Sequence, residues 1–203
     1  MKTRRNTYNF NSKYKNEDES EGEQTINEIK VTGNNIYLYS DINQEVALNF
    51  NTQLKKLEEK LIIVSIQYDC ELPNINIHIN SEGGEVFSAL SMVDSIKNCK
   101  VPITTIVEGQ AASAATLISI VADTRKITSN SYMLIHQISS GFEGKHNEFK
   151  DEMKNLNRLM KSMKKIYKEY TNLDESKLDS CLKKDIWWSS KFCLDNGLVD
   201  EIV

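Results

Sequence analysis

The stretch Gly109-Gln110-Ala111-Ala112-Ser113-Ala114-Ala115 places one serine among small residues, shortly after the apolar run Ile103 to Val107. That run predicts a strand, and the apolar residues from Ser113 to Val121 predict a helix, so the serine lies at a strand-to-helix turn. A serine hydroxyl is a poor nucleophile until a neighbouring base takes its proton. Small neighbours give a substrate access to that hydroxyl and leave backbone N–H groups free to face a developing negative charge.

A second apolar strand, Met133 to Ile135, ends at His136. Histidine is the side chain that most often acts as a general base, so His136 is the candidate base for Ser113. Each residue also has a purely structural interpretation, because serine is a preferred helix N-cap and a histidine can simply end a strand. The occurrence of both in this order favours the catalytic interpretation.

Composition excludes several classes of protein. A chain of 203 residues is long enough for one domain with a full core. The net charge of −4 argues against a nucleic-acid-binding protein. No apolar run has transmembrane length and no signal peptide follows the N-terminus, so we expect a cytoplasmic protein without a membrane partner. Three histidines and unpaired cysteine spacings predict four reduced thiols and no metal site: Cys70, Cys99, Cys181 and Cys193.

Residues 1–28 differ in composition from the rest of the chain. Basic residues come first, an acidic cluster follows, and apolar residues are almost absent. Such a segment cannot bury enough apolar surface to offset the entropy lost on ordering. We therefore predict a disordered tail over residues 1–28 and a single folded domain over residues 29–203.

Apolar spacing predicts strands and helices before Gly109. Strands are predicted at Ile36 to Tyr39, at Leu61 to Ile66 and at Asn74 to Asn80, which runs into Gly83-Gly84. Two helices are predicted, with these apolar faces: Val46, Ala47, Phe50, Leu54 and Leu57, then Val86, Phe87, Leu90, Val93 and Ile96. Repeated strand–turn–helix order implies parallel strands with helical crossovers, and hence an α/β domain. Composition alone does not choose between a flat doubly wound sheet and a spiral of ββα units.

A long helix is predicted from Lys145 to Tyr170. Its apolar residues alternate between spacings of four and three, which gives a continuous seam: Phe149, Met153, Leu156, Met160, Met163, Tyr167 and Tyr170. At ~26 residues the helix would be about 39 Å long. Two interpretations stay open, a core helix lying on the sheet and a projecting helix that buries its seam against another subunit.

Taken together, the ordered motifs resemble the proteolytic subunit of the Clp protease, a family of self-compartmentalised serine peptidases. Gly109 to Ser113 resembles the family's nucleophile segment, Ile135-His136-Gln137 its base segment and Asn80-Ser81-Glu82-Gly83-Gly84 its oxyanion loop. The run Asn196-Gly197-Leu198-Val199-Asp200 resembles its C-terminal motif, and the resemblance extends from Asn35 to the C-terminus. Glu82 and Ile138 stand where the family usually has proline.

This resemblance implies a ClpP/crotonase-like spiral of ββα units, with residues 139–171 as a projecting handle. It implies a serine endopeptidase with a triad of Ser113, His136 and Asp185, and an oxyanion hole made by the backbone amides of Gly84 and Ala114. It further implies stacked heptameric rings of this chain, unfolded polypeptide substrates, and no metal or organic cofactor. ATP would be used by a separate AAA+ unfoldase, and the chain has no phosphate-binding G-x-x-x-x-G-K-[ST] loop.

Two alternatives are kept. One is a catalytically inactive or specialised ring subunit that accompanies an active copy. The other is a crotonase-type acyl-CoA lyase or isomerase, which shares the fold and would use the oxyanion hole on a thioester enolate. A complete triad disfavours both. Asp185 is selected by the resemblance alone from among neighbouring acids that are more often solvated surface residues: Asp174, Asp179, Asp195 and Asp200.

Overall fold

A largely parallel sheet forms the centre of the protein, whose computed structural model describes residues 29–203. The tail predicted over residues 1–28 lies outside the described residues. The strands are β1 (Lys30–Thr32), β2 (Asn35–Leu38), β3 (Ile75–Ser81), β4 (Ile103–Ala112), β5 (Thr124–Ile127), β6 (Tyr132–Leu134), β7 (Trp188–Ser189) and β8 (Glu201–Ile202). The helices are α1 (Gln44–Tyr68), α2 (Val86–Lys97), α3 (Ala114–Ile120), α4 (His146–Tyr170), α5 (Glu175–Leu182) and α6 (Ser190–Asp195).

The strand order confirms the predicted α/β class. Along the sheet the order is β1-β2-β3-β4-β5-β8, and the pairs from β2 to β8 are parallel. Two short antiparallel pairs complete it, β1 with β2 and β6 with β7. Strand β3 alternates as predicted, with Ile75, Ile77 and Ile79 fully buried. Helices α1, α2 and α3 form the crossovers that connect the parallel strands from β2 to β5.

Strand β4 changes partner along its length. Its first half pairs with β5 and its last three residues pair with β6. Against β3 its register shifts, because the pair Ile79–Val107 is followed by the pair Ser81–Ala111. Gly109 lies within this bulge with φ 88°, and its N–H donates to Ser131 Oγ at 2.6 Å. The bulge therefore directs the end of β4 towards β6.

The strand predicted at Leu61 to Ile66 is wrong. These residues form the last turns of α1, which ends at Asp69 in the left-handed conformation. No glycine or proline interrupts the sequence from Gln44, so adding residues to the existing helix costs far less than starting a new element. Ile63 and Ile66 are 62% and 76% exposed, which also contradicts the expected burial.

Helix α2 is confirmed, with one error in its predicted apolar face. Val93 and Ile96 are buried as expected, whereas Phe87 points into solvent. Met92 takes a place in the core instead. The apolar face is thus rotated towards Met92 relative to the one predicted.

Helix α4 is confirmed as one helix of 25 residues, about 38 Å long. Its C-terminal part is core, because Met163 and Tyr167 are only 2% and 0% exposed and the helix packs on α3 and α5. Its N-terminal half projects, with Phe149 and Met153 49% and 58% exposed. The core interpretation therefore holds for the C-terminal part of the helix, and burial of the N-terminal part against another subunit stays a prediction. Within residues 29–203 no helix is both long and apolar enough to span a membrane.

Candidate active site

Ser113 connects β4 to α3 in a conformation that L-residues rarely adopt. Its backbone has φ 53° and ψ −123°, which costs on the order of 1–3 kcal/mol and persists only where neighbours enforce it. The Ser113 N–H donates to Leu134 O at 2.8 Å, and its carbonyl accepts from the Thr116 N–H at 3.1 Å. The Ser113 side chain caps no helix N–H, so the N-cap interpretation does not describe it. A strained strand-to-helix turn is the kind of site that presents a nucleophilic side chain to substrate. The sequence contains no G-x-S-x-G motif, which would have predicted such a turn.

The Gly83–Gly84 loop packs directly on this turn. A Cβ added to Gly83 would lie 2.8 Å from Ser113 Cβ and 2.9 Å from the Ala114 nitrogen, and one added to Gly84 would lie 2.1 Å from Ile42 O. Both glycines have positive φ, 94° and 143°. The loop is fixed because the Ile42 N–H donates to Gly83 O at 2.7 Å and the N–H of Glu85 donates to Ile42 O at 2.8 Å. The glycines are therefore required by close approach, and this is not an ordinary tight turn.

Two backbone amides stay available beside the serine. Among the hydrogen bonds of residues 29–203, neither the N–H of Gly84 nor that of Ala114 donates to another protein atom. Gly84 belongs to the loop that packs on the turn, and Ala114 follows the serine directly. Two unpaired amides near a nucleophile are the usual donors to an oxyanion.

His136 and Asp185 are brought together, as the triad requires. His136 follows β6 by two residues, and its Nδ1 lies 3.2 Å from Asp185 Oδ1. Their side chains are 27% and 80% exposed. The segment carrying the acid is held in place because the Gln137 N–H donates to Leu182 O at 2.9 Å, at the end of α5. A carboxylate at Nδ1 keeps the proton on that nitrogen and leaves Nε2 free to act as a base.

No hydrogen bond joins Ser113 to His136 in the described part of the chain. They lie on neighbouring segments, since Ala112 pairs with Leu134 in the β4–β6 ladder. Catalytic hydrogen bonds are often long in a free enzyme and shorten when substrate binds. Residues 135–145, which follow β6, form neither strand nor helix.

The four rival acids all have other partners. Asp174 caps α5 by accepting from the Lys177 N–H at 2.7 Å. The others form ion pairs with basic side chains: Asp179 with Lys164, Asp195 with Lys191 and Asp200 with Arg125. Lys164 holds the pKa of Asp179 below its usual value, and Arg125 does the same for Asp200. Of this group of acids, Asp185 is the one that contacts His136.

The remaining histidines lie in different surroundings. His78 stacks on Tyr37 and its Nδ1 lies 2.8 Å from Glu108 Oε1, on the sheet surface. Burial raises the pKa of Glu108, but hydrogen bonds from Tyr39 and His78 outweigh it and the net pKa is lowered. His146 begins α4 and is exposed. Among the described residues neither histidine has a hydrogen bond to Ser113 or Asp185, so we interpret both as structural.

Comparison with known proteins shows a likeness to one family. A model of the Clp protease family matches residues 19–203. The ATP-dependent Clp protease proteolytic subunit of Deinococcus radiodurans is 31% identical over 131 residues, which make up 64% of this chain and 64% of that relative's length. Among solved structures, a ClpP1 point mutant from Listeria monocytogenes superposes with a TM-score of 0.72 at 27% identity, covering 84% of this chain and 91% of that one. The superposition confirms the ClpP-like fold expected from the resemblance.

Proposed function

Because the chain belongs to the Clp protease family, we propose that it is a serine endopeptidase, the proteolytic subunit of an ATP-dependent compartmentalised protease. Its substrates are unfolded polypeptides. The observation that carries this proposal is the strained backbone of Ser113, whose side chain caps no helix N–H and against which the Gly83 loop packs. An N-capping serine would not need this backbone strain or a glycine at 83.

The proposed reaction gives each of these groups one role. Ser113 Oγ attacks the carbonyl carbon of the scissile peptide bond while His136 Nε2 takes the hydroxyl proton. Asp185 holds the imidazole tautomer and offsets the charge of the imidazolium. The amides of Gly84 and Ala114 donate to the oxyanion of the tetrahedral intermediate. His136 then gives the proton to the leaving amine as the C–N bond breaks, which leaves the acyl group on Ser113 Oγ. Water attacks this ester while His136 takes its proton, and the proton returns to Ser113 Oγ as the acyl group is released.

The proposed assembly consists of stacked heptameric rings of this chain, and a separate AAA+ unfoldase uses ATP and delivers the polypeptide. Hydrolysis then needs only side chains and amides of this chain, without a metal or an organic cofactor. The projecting half of α4 supports an assembly through this helix, because large exposed apolar side chains there are suited to an interface. We place the protein in the cytoplasm, where its four free thiols would stay reduced.

A labelling experiment tests the proposed activity. A fluorophosphonate probe should label Ser113 covalently, and Ser113→Ala should lose both labelling and hydrolysis of a fluorogenic peptide by several orders of magnitude. Ser95→Ala is the matched control, since Ser95 only bonds to a carbonyl within α2 and should leave both signals unchanged. Full peptidase activity in Ser113→Ala would refute the proposal. A wild-type protein that assembles into rings but neither reacts with the probe nor cleaves peptides would indicate the inactive ring subunit.

A further inference from the structure

A pair of buried hydroxyl groups joins helix α4 to the serine turn. Tyr167 on α4 and Thr116 on α3 are both fully buried, and their hydroxyl groups are hydrogen-bonded to each other. Thr116 Oγ1 also donates to Ser113 O at 2.6 Å. A continuous chain of hydrogen bonds therefore runs from α4 to the carbonyl of the nucleophile. These contacts connect residues 51 positions apart in sequence.

The direction of each hydrogen bond is fixed by counting protons. A threonine hydroxyl has one proton, and a carbonyl oxygen can only accept, so the proton of Thr116 goes to Ser113 O. The Tyr167 hydroxyl must then donate to Thr116 Oγ1. Burial raises the pKa of Tyr167, which keeps this phenol protonated and able to donate. The chain thus points from Tyr167 through Thr116 to Ser113.

Holding the Ser113 carbonyl also holds the amide of Ala114. The two groups belong to one planar peptide unit, which is trans, so the C=O and the N–H point in opposite directions. Ser113 has strained backbone angles, so this orientation of the peptide unit persists only because neighbouring contacts hold it. A donor on the carbonyl also polarises the peptide group and strengthens its N–H as a donor. The contacts of Thr116 therefore set both the direction and the strength of the Ala114 amide.

We infer that Thr116 and Tyr167 are positioning residues for oxyanion stabilisation. They keep the peptide between Ser113 and Ala114 in the orientation in which the Ala114 N–H faces the developing oxyanion. They also make this orientation depend on the seating of α4. The inference rests on the proposed peptidase activity and adds to it two residues that do not contact the substrate.

The test compares isosteric variants in steady-state peptide hydrolysis. Thr116→Val removes the hydroxyl but keeps the branched shape, and kcat should fall about 10- to 100-fold with KM unchanged, less than the 10²–10³ typical for loss of a whole oxyanion donor. Thr116→Ser keeps the hydroxyl and should recover most of kcat. Tyr167→Phe keeps the ring but removes the hydroxyl group, and it should lower kcat about tenfold. This variant provides the test if Thr116→Val fails to fold.

The matched control is Thr105→Val. Thr105 is also buried and donates to a carbonyl of α3 at 2.6 Å, but that carbonyl belongs to Ser119, at the far end of the helix. Its substitution should lower thermal stability while leaving kcat unchanged. Equal losses of kcat in Thr105→Val and Thr116→Val, or no loss in Thr116→Val, would overturn the inference and leave the proposed function intact, provided that Ser113→Ala is inactive. Undiminished hydrolysis by Ser113→Ala would overturn both.

Discussion

Met153 and Met163 lie in different halves of α4, and substituting them should have opposite effects on stability and on assembly. Met163 is buried in the core, so Met163→Ala should cost about 2–5 kcal/mol of unfolding free energy and leave a cavity. At about 2–4 °C per kcal/mol for a domain of this size, the melting temperature should fall by roughly 4–20 °C. Met153 is 58% exposed, and Met153→Glu should change the stability of the folded subunit by no more than about 0.5 kcal/mol.

The expected effects on assembly are the opposite: Met153→Glu should weaken assembly and Met163→Ala should not. If Met153 is buried between subunits, its replacement by glutamate removes about 1.5–3 kcal/mol of apolar burial per contact. Since 1.4 kcal/mol is a factor of ten, each contact weakens about tenfold to a hundredfold. Native mass spectrometry over a dilution series should then detect smaller species for Met153→Glu, with peptidase activity lost in parallel. Met163→Ala should assemble normally below its melting temperature.

Two results would refute this reasoning. A large drop in melting temperature for dilute Met153→Glu would mean that the projecting half of α4 is packed within the subunit. A variant that stays fully assembled and active at every concentration would place the interface elsewhere. Differential scanning fluorimetry of both variants, at the concentrations used for mass spectrometry, separates these outcomes.

Two further predictions concern carboxylates. Asp185→Asn should keep the fold, because the side chain is 80% exposed, but should lower kcat by a factor on the order of 10⁴ by favouring the wrong imidazole tautomer. Asp179→Asn is the control and should leave kcat in a peptide assay unchanged. If Asp179→Asn lost activity and Asp185→Asn did not, the acid of the triad would be Asp179. Glu108 has a lowered pKa in the folded state, so its contribution to stability is present above the ordinary glutamate pKa of about 4.3 and is lost as the pH falls through the lower folded value. Denaturant melts of wild type and Glu108→Gln should therefore differ at pH 7 and converge as the pH falls below the folded pKa of Glu108, and a difference independent of pH would exclude this role.

Sequence patterns predicted β2, β3, β4 and β6, whose signals are local, and missed the short strands β1, β5, β7 and β8. The alternation in Ile75 to Ile79 reflects the two faces of one strand, and the glycines at 83 and 84 reflect the positive φ angles of one loop. The error at Leu61 to Ile66 has a physical origin, since a short apolar run fits a buried strand and a helix equally well. Helix α4 was predicted from its spacing, but spacing identifies an apolar face and not what covers it.

The site was predictable in its residue types and less so in its geometry. Which acid reaches His136 depends on where α5 ends, and two of the competing acids, Asp179 and Asp200, are paired with basic residues of other segments. Ser113 is strained where it bonds to Leu134 and packs against Gly83, and both partners are distant in sequence, so no local pattern reports the strain. The Thr116–Tyr167 contact joins distant segments, and neither residue type suggests it alone.

The bulge in β4 also acts as a spacer of fixed length. Between the pairs Ile79–Val107 and Ser81–Ala111 the chain advances two residues in β3 and four in β4. The two additional residues determine that Ser113 arrives beside Gly83. Surface loops tolerate insertions and deletions, whereas loss of residues between Val107 and Ala111 should displace Ser113 from the Gly83 loop. Changes of chain length should therefore be tolerated in surface loops and not between Val107 and Ala111.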